Sequence, residues 1–472
     1  MAWPCRTDVQ KLIAKYGLAA HLALLAVAPL FLFPFCDVSS IARALIWLTL
    51  PVAIWVVLGP SVRMDEHLHD ARRRVTEAIF RDPLFWASLA LVAFTGLRAL
   101  NTGIEICYNA ETSAWRVSGP VFPILPGAVG AAGDFPFAAS LACMVLMQGC
   151  LHSLGRSARM AFLLLSTFLS GLAACVALFA FHQNVPGAMR LFPAEDGLLC
   201  SYVGFAFGLH MIGGLTSLSS VVELRWKKSF PLLFAAVGGN AAGLFVFAPT
   251  YLSVAMAAAG ALVLAYATVF SCVISKGTSG LKLLVIGGIS LAIGGLLVVA
   301  VLPSAVLDGR LAAIAGIDLF PERYWEFRQT LSSVAFKSWV SHIWAGTGVA
   351  SFPLDFRFAA QAADWEVLPR GATMVPNGWW LLLTECGIVG TAFFILPFGL
   401  LLFAYVRRTF DGEWEWALPH PACLIAPIAV LLLAAAGFFD CSPLRAEVLT
   451  ATCAFMAVSA ASIQRTRGEQ NG

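Results

Sequence analysis

The chain has 472 residues, 59% of them hydrophobic and only 12% charged, with a mean hydropathy of +0.82. That balance excludes a soluble globular domain, because runs of about 18 or more apolar residues read as bilayer spans. The formal net charge of +3 is spread over many short connections, with no basic block suited to nucleic acid.

Taken in chain order, the first apolar stretch, 17–35, follows Arg6, Lys11 and Lys15. A secretory signal has a core of roughly 7–15 residues and a small-residue cleavage site. Neither is evident, and a retained first helix is expected. Eleven further apolar stretches follow, at 41–59, 83–99, 136–154, 160–181, 200–220, 229–247, 251–274, 283–303, 377–404, 421–438 and 447–463. The expected fold class is an all-α polytopic membrane bundle of about 12 transmembrane helices. One alternating set of connections, which includes the N-terminal tail and Arg72, Arg73 and Arg74, holds 19 of the 30 Lys and Arg. By the positive-inside rule this set is cytoplasmic, so both termini are inside and the other set faces outward.

The outward set carries the two sizeable polar segments. Residues 100–135 are rich in Gly and Pro, and residues 304–376 form a loop of 73 residues with six basic and seven acidic side chains. That loop divides the chain into spans one to nine (1–303), the outward segment itself (304–376), and spans ten to twelve with a cytoplasmic tail (377–472). Trp325, Trp339, Trp344 and Trp365 make the loop too aromatic for a solvated tether, so it is expected to fold back on the membrane and form a site. Within it, Pro321 fits the first position of a helix. Tyr324, Phe327, Leu331 and Val334 recur at helical spacing, which predicts an amphipathic helix near the headgroups. Gly346 and Gly348 break the pattern in "WAGTGVASF". Cys36, Cys107 and Cys441 fall near one membrane face, and both a disulfide and free thiols stay open there.

Several polar groups stand out against this background. "PERYWEFRQTL" sets Arg323 and Arg328 among aromatic side chains. A guanidinium fork suits phosphate oxygens and stacks on rings, so a lipid diphosphate is one reading. The bland reading is a pair of interfacial arginines with snorkelling stems. "GTGVASF" lacks the preceding strand and the GK[ST] ending of a nucleotide loop. His21, His210, Asn240 and Glu385 lie inside spans, and such groups usually face the bundle interior. Glu385 stands about 12 Å along its helix from Asn377, close enough to the outer surface to border a site. No metal-ligand spacing and no cofactor signature is present, so the expected chemistry is metal-independent and needs no cofactor.

Two motifs then occur together. The loop carries R-x(3)-F-R-Q-x-L from Arg323 and a GxGxxxF stretch from Gly346, and the next helix carries NxxxLLxxxxGxxG from Asn377. Over 320–390 this resembles the bacterial O-antigen ligase and O-antigen polymerase superfamily of membrane glycosyltransferases. The resemblance implies a bacterial inner-membrane protein with its active face in the periplasm. It implies transfer of a glycan from undecaprenyl diphosphate to a hydroxyl of a lipid or glycan acceptor, a step that lipopolysaccharide biosynthesis uses. Arg323, helped by Arg328, would hold the diphosphate and offset its growing charge. Asn377, Trp379 and Trp380 would open the acceptor-side helix, with Glu385, Gly387 and Gly390 matching its later positions.

The sequence departs from the family at two places. In ligases a histidine just before that Asn is assigned as general base; here the position holds Pro376, which cannot carry a proton. A second family arginine opens the span at 251–274, where this chain reads "PTYLSVAM". His342 and Glu385 are the candidate substitutes for the base. The alternative is a catalytically inactive protein that binds or transports a lipid-linked glycan.

Overall fold

A computed structural model describes residues 6–36, 38–58, 66–101, 106–109, 114–117, 131–185, 202–223, 230–275, 279–302, 304–316, 320, 324–349, 351–352, 359–360, 377–410, 420–439 and 445–464. Among these the chain is helical apart from one short hairpin. In chain order the elements are α1 (Arg6–Leu32), α2 (Val38–Leu58), α3 (Glu66–Arg81), α4 (Pro83–Leu100), β1 (Ile106–Asn109), β2 (Ala114–Val117) and α5 (Ala131–Ser153). Then come α6 (Arg156–His182), α7 (Tyr202–Glu223), α8 (Phe230–Phe247), α9 (Thr250–Ser275) and α10 (Ser279–Val301). The last are α11 (Ser304–Gly316), α12 (Tyr324–Ser341), α13 (Gly378–Phe410), α14 (Pro421–Gly437) and α15 (Ala446–Gln464). The helices α4, α5, α6, α9 and α13 are long and apolar enough to cross a membrane; α1, α2, α7, α8, α10, α14 and α15 are apolar over shorter stretches. All of these lie on the apolar stretches of the sequence.

The other elements belong to the polar connections. The strands β1 and β2 pair antiparallel, with Cys107 opposite Arg116. Cys36 is a free thiol, while Cys441 and the side chain of Cys107 lie outside the described residues. The helix α3 fills the basic connection after α2. It buries Val75 and Ile79, which stand at helical spacing, and turns Arg73 and Glu77 outward as a 2.9 Å ion pair. Arg72 ties it to the end of α2 through the Val56 carbonyl, at 3.0 Å. The next helix starts sharply because Asp82 caps α4, accepting the Leu84 N–H at 3.0 Å, and Pro83 follows where no N–H is needed. The second Asp82 oxygen lies 3.5 Å from His152 Nδ1 at the end of α5. Burial pushes the Asp82 carboxyl above the usual carboxylate range, and His152 pulls it back in part.

At the centre, α6, α8 and α10 approach almost backbone to backbone. A Cβ on Gly171 would lie 2.7 Å from the Ala236 main chain, and one on Gly294 would lie 2.7 Å from the Gly238 carbonyl. Where lipid replaces water, apolar burial does not drive helices together, and small-residue contacts and polar bonds carry more of the association. Asn240 supplies such a bond, its amide donating to the Thr167 carbonyl of α6 at 3.1 Å. His21 joins α1 to α2 through the Leu48 carbonyl at 2.6 Å. His210 is fully buried and its ring meets Phe455 edge-on at 5.3 Å, a packing role rather than a bonded one. Asn240, His210 and Glu385 thus all point inward, as polar groups within apolar helices should.

Candidate functional site

Helices α11 and α12 and the start of α13 gather at one end of the bundle, which we call the loop end. Arg310 anchors α11 there. Its guanidinium donates to the Phe245, Val246 and Ala248 carbonyls at the C-terminus of α8, the last two at 3.2 Å. These carbonyls have lost their helical partners and form the negative end of the helix dipole, so a cation suits them. Burial lowers the Arg310 pKa to about 10, which leaves it charged at neutral pH.

The helix α12 presents its predicted stripe to the protein rather than to headgroups. Tyr324, Phe327, Leu331 and Val334 are buried, the last three in a cluster with Phe352 and with Leu381 of α13. The reason is that α13 offers a matching apolar face at the same level. The bond from the Thr384 hydroxyl to the Ala335 carbonyl, at 3.2 Å, fixes the crossing.

The N-terminal part of α12 forms an aromatic shelf with α9 and α14. Phe320 stacks between Tyr251 (5.0 Å, 17°) and Tyr324 (4.9 Å, 26°). Beside this stack the Arg328 guanidinium lies over the rings of Trp325 (5.2 Å) and Phe439 (5.4 Å) and donates to the Phe438 carbonyl. Phe438 in turn meets the Trp379 ring at 6.3 Å. The Tyr324 hydroxyl is buried without a hydrogen-bond partner among the described residues, and burial pushes its pKa up. Arg323 lies outside the described residues, immediately before α12.

Asn377 opens α13 as its cap, its side-chain oxygen accepting the N–H groups of Trp379 (3.1 Å) and Trp380 (3.2 Å). Trp379 reaches α14, donating to the Ala434 carbonyl at 3.0 Å. Trp380 lies 6.0 Å from Trp339 and 5.6 Å from Phe336 on α12. The three residues therefore lock the start of α13 between α12 and α14, at the edge of the shelf. Pro376 itself lies outside the described residues.

Deeper along α13 the helix breaks. Gly387 has φ 65° and ψ −173°, a conformation essentially reserved for glycine. A break orphans the carbonyls before it and the N–H groups after it. Residues 343–348 run across the break and take up both. Thr347 and Gly348 donate their N–H groups to the Thr384 (2.9 Å) and Glu385 (3.0 Å) carbonyls. On the other side Ile388 and Val389 donate to the Ile343 (2.9 Å) and Trp344 (3.1 Å) carbonyls. Gly346, at φ 69°, is needed for the same reason: a Cβ there would stand 2.4 Å from the Glu385 main chain. Arg98, at the end of α4, closes this strap from the side. It is 0% exposed and donates to the carbonyls of Ala345 (2.8 Å) and Glu385 (2.6 Å).

The structure thus sorts the sequence candidates into two groups. Arg328 and Trp379 both reach the end of α14, while Asn377 caps α13 beside them and Trp380 turns to α12. Glu385, 4% exposed, belongs to the strap, and the exposed His342 sits just before it, its carbonyl accepting the Gly346 N–H at 2.9 Å. His342 follows the end of α12, fourteen positions after Arg328, about 21 Å at 1.5 Å per residue. Arg98 was not among the sequence candidates; one arginine at the end of an apolar stretch looks like an ordinary snorkelling residue. No family model matches the chain, and no curated protein does.

Proposed function

We propose that this protein takes a polyprenyl-diphosphate-linked glycan at its outward face and transfers it to an acceptor hydroxyl, as an O-antigen ligase-like membrane glycosyltransferase. In this reading the twelve apolar helices all cross a bacterial inner membrane, both termini are cytoplasmic, and the loop end is periplasmic. The observation that carries it is the meeting of Arg328 with the Asn377-capped start of α13, across Phe438 and Trp379. These residues come from the two motifs of the family resemblance, which the sequence keeps about fifty positions apart.

The chemistry asked of the shelf is mostly electrostatic. The acceptor oxygen attacks the anomeric carbon, the bond to the diphosphate breaks, and the electron pair leaves on phosphate oxygen. A guanidinium held on aromatic rings beside that oxygen lowers the barrier by meeting charge as it develops. Trp325 offers a half-exposed ring against which a sugar can lie. The hydroxyl proton needs an acceptor within about 3 Å. The two sequence candidates for that acceptor, His342 and Glu385, both stand at the strap.

Native mass spectrometry of the protein extracted gently from its own membranes tests the substrate class. A bound species with the mass of a polyprenyl diphosphate carrying sugars is expected, and the same donor should then be turned over with added acceptor. A protein that emerges empty, while a known ligase keeps its donor under the same handling, would sink the proposal. A second reading, binding or transport of the lipid-linked glycan without transfer, is favoured by Pro376, which stands where the family histidine is expected. Retained donor with no turnover would select it.

A further inference from the structure

Along the outer side of α12 the exposed Gln329 and Ser333 separate Trp325 from an apolar C-terminal end. At that end Phe336 and Val340 are 46% and 48% exposed. Ile343 and Trp344 extend this apolar surface past the helix, Trp344 at 71% exposure. Aromatic and aliphatic side chains in a continuous exposed patch mark a surface that something covers.

Its neighbours identify the cover. Main-chain bonds from Ile388 to Ile343 and from Val389 to Trp344 hold the patch directly against α13. It therefore continues into the exposed Ile388 and, farther along that crossing helix, into Ile395, Leu396 and Phe403. The depth is fixed independently. Arg98 stands two residues before the end of α4, another helix able to cross a membrane, and it holds the Ala345 and Glu385 carbonyls. The strap thus lies level with the point where α4 ends. From that level, the rest of α13 after its break at Gly387 runs to Phe410, about 34 Å, which suits a hydrocarbon core of about 30 Å.

We propose that the C-terminal end of α12, Phe336 and Val340 with Ile343 and Trp344, seats in the bilayer leaflet at the loop end, its partner being phospholipid at the boundary of headgroups and acyl chains. Indole rings are enriched at that depth because they present an apolar body and a polar N–H. The seat does not depend on the transferase reading; it rests on α4 and α13 crossing the membrane. Its consequence is positional: Arg328, near the other end of the same helix, is kept close to the leaflet surface.

The test is photo-crosslinking of the full-length protein in bilayers, with benzoylphenylalanine in place of Val340 and, in a separate sample, in place of Phe403 on α13. Both side chains are exposed, so neither replacement disturbs a buried contact. After irradiation, intact-mass analysis should show a phospholipid adduct at position 340 in a yield close to that at position 403. A crosslink at 340 to a second copy or another protein would overturn the proposal. So would the absence of any adduct at 340 while 403 gives lipid, because that end of α12 would then be in water.

Discussion

Arg98 and Arg328 both lie at the loop end, yet their surroundings make them opposites. Arg98 is wholly buried, directs its donors at two carbonyls of the strap, and has the Phe94 ring beneath it at 5.4 Å. Arg328 is partly exposed, lies across two rings, and makes one main-chain bond at the rim. A cation closed in by main-chain oxygens completes the fold and leaves nothing free for a ligand to find. A cation spread on aromatic rings and open on one side keeps donors for a partner. By this contrast the strap is architecture, and the shelf is the better candidate for a ligand site.

The largest effect should come from breaking the strap. Gly387→Ala forces a side chain into a glycine-only conformation, and its Cβ would meet the Trp344 carbonyl at 2.4 Å. Strain and overpacking together should cost about 3 kcal/mol or more. The expected outcome is a sharp fall in Tm and in the yield of monodisperse protein after extraction; an unchanged Tm would show that the strap does not hold the break. Arg98→Leu comes next. It leaves the Ala345 carbonyl without the 2.8 Å bond it has now, and removing charged hydrogen bonds from a buried site costs roughly 2–3 kcal/mol. The Arg98→Lys variant should recover only part of this, since one ammonium does not reproduce a planar fork. Full recovery by Lys would mean that charge alone matters there.

Those two residues also mark how far the sequence could be read. The apolar helices were legible because a run of apolar residues has one stable use in a membrane. The helix entry at Asn377 and the break at Gly346 and Gly348 were legible as local chemistry, although the capping role of Asn377 was not read. The helix α3 was missed although Val75 and Ile79 carry a helical spacing within its charged residues, a signal that the nearby arginines obscured. The break at Gly387 had no local signature at all. It exists because a segment some forty residues earlier supplies donors and acceptors to both sides of it, and such pairing is a property of tertiary structure. The partner of the α12 stripe was hidden for the same reason: an apolar stripe does not say whether lipid or α13 will cover it.

At the shelf the expected effects move from stability to binding. Arg328→Ala removes a rim bond and two ring contacts, so it should lower stability by only about 1 kcal/mol or less and leave Tm nearly unchanged. Affinity for a polyprenyl-diphosphate glycan should fall about 10- to 100-fold, the value of one or two charge-assisted bonds. A binding assay that finds unchanged affinity would remove Arg328 from the site and leave the strap as the better candidate.

The smallest effect is expected at His342. It is exposed, and its main-chain carbonyl alone is tied to the strap, so His342→Ala should leave the fold intact. Transfer should also stay within about two-fold of wild type, because a general base must approach within about 3 Å of the hydroxyl it activates. In the proposed transfer that hydroxyl attacks the carbon bonded to the diphosphate. Arg328 is turned to Phe438 and Phe439 while His342 stands about 21 Å farther along, so the two side chains as placed address different points. Single-turnover transfer by the variant, measured with donor already bound, checks this. A fall of about 100-fold or more, the usual cost of losing a general base, would place the reacting centre at the strap and make Arg328 a structural residue.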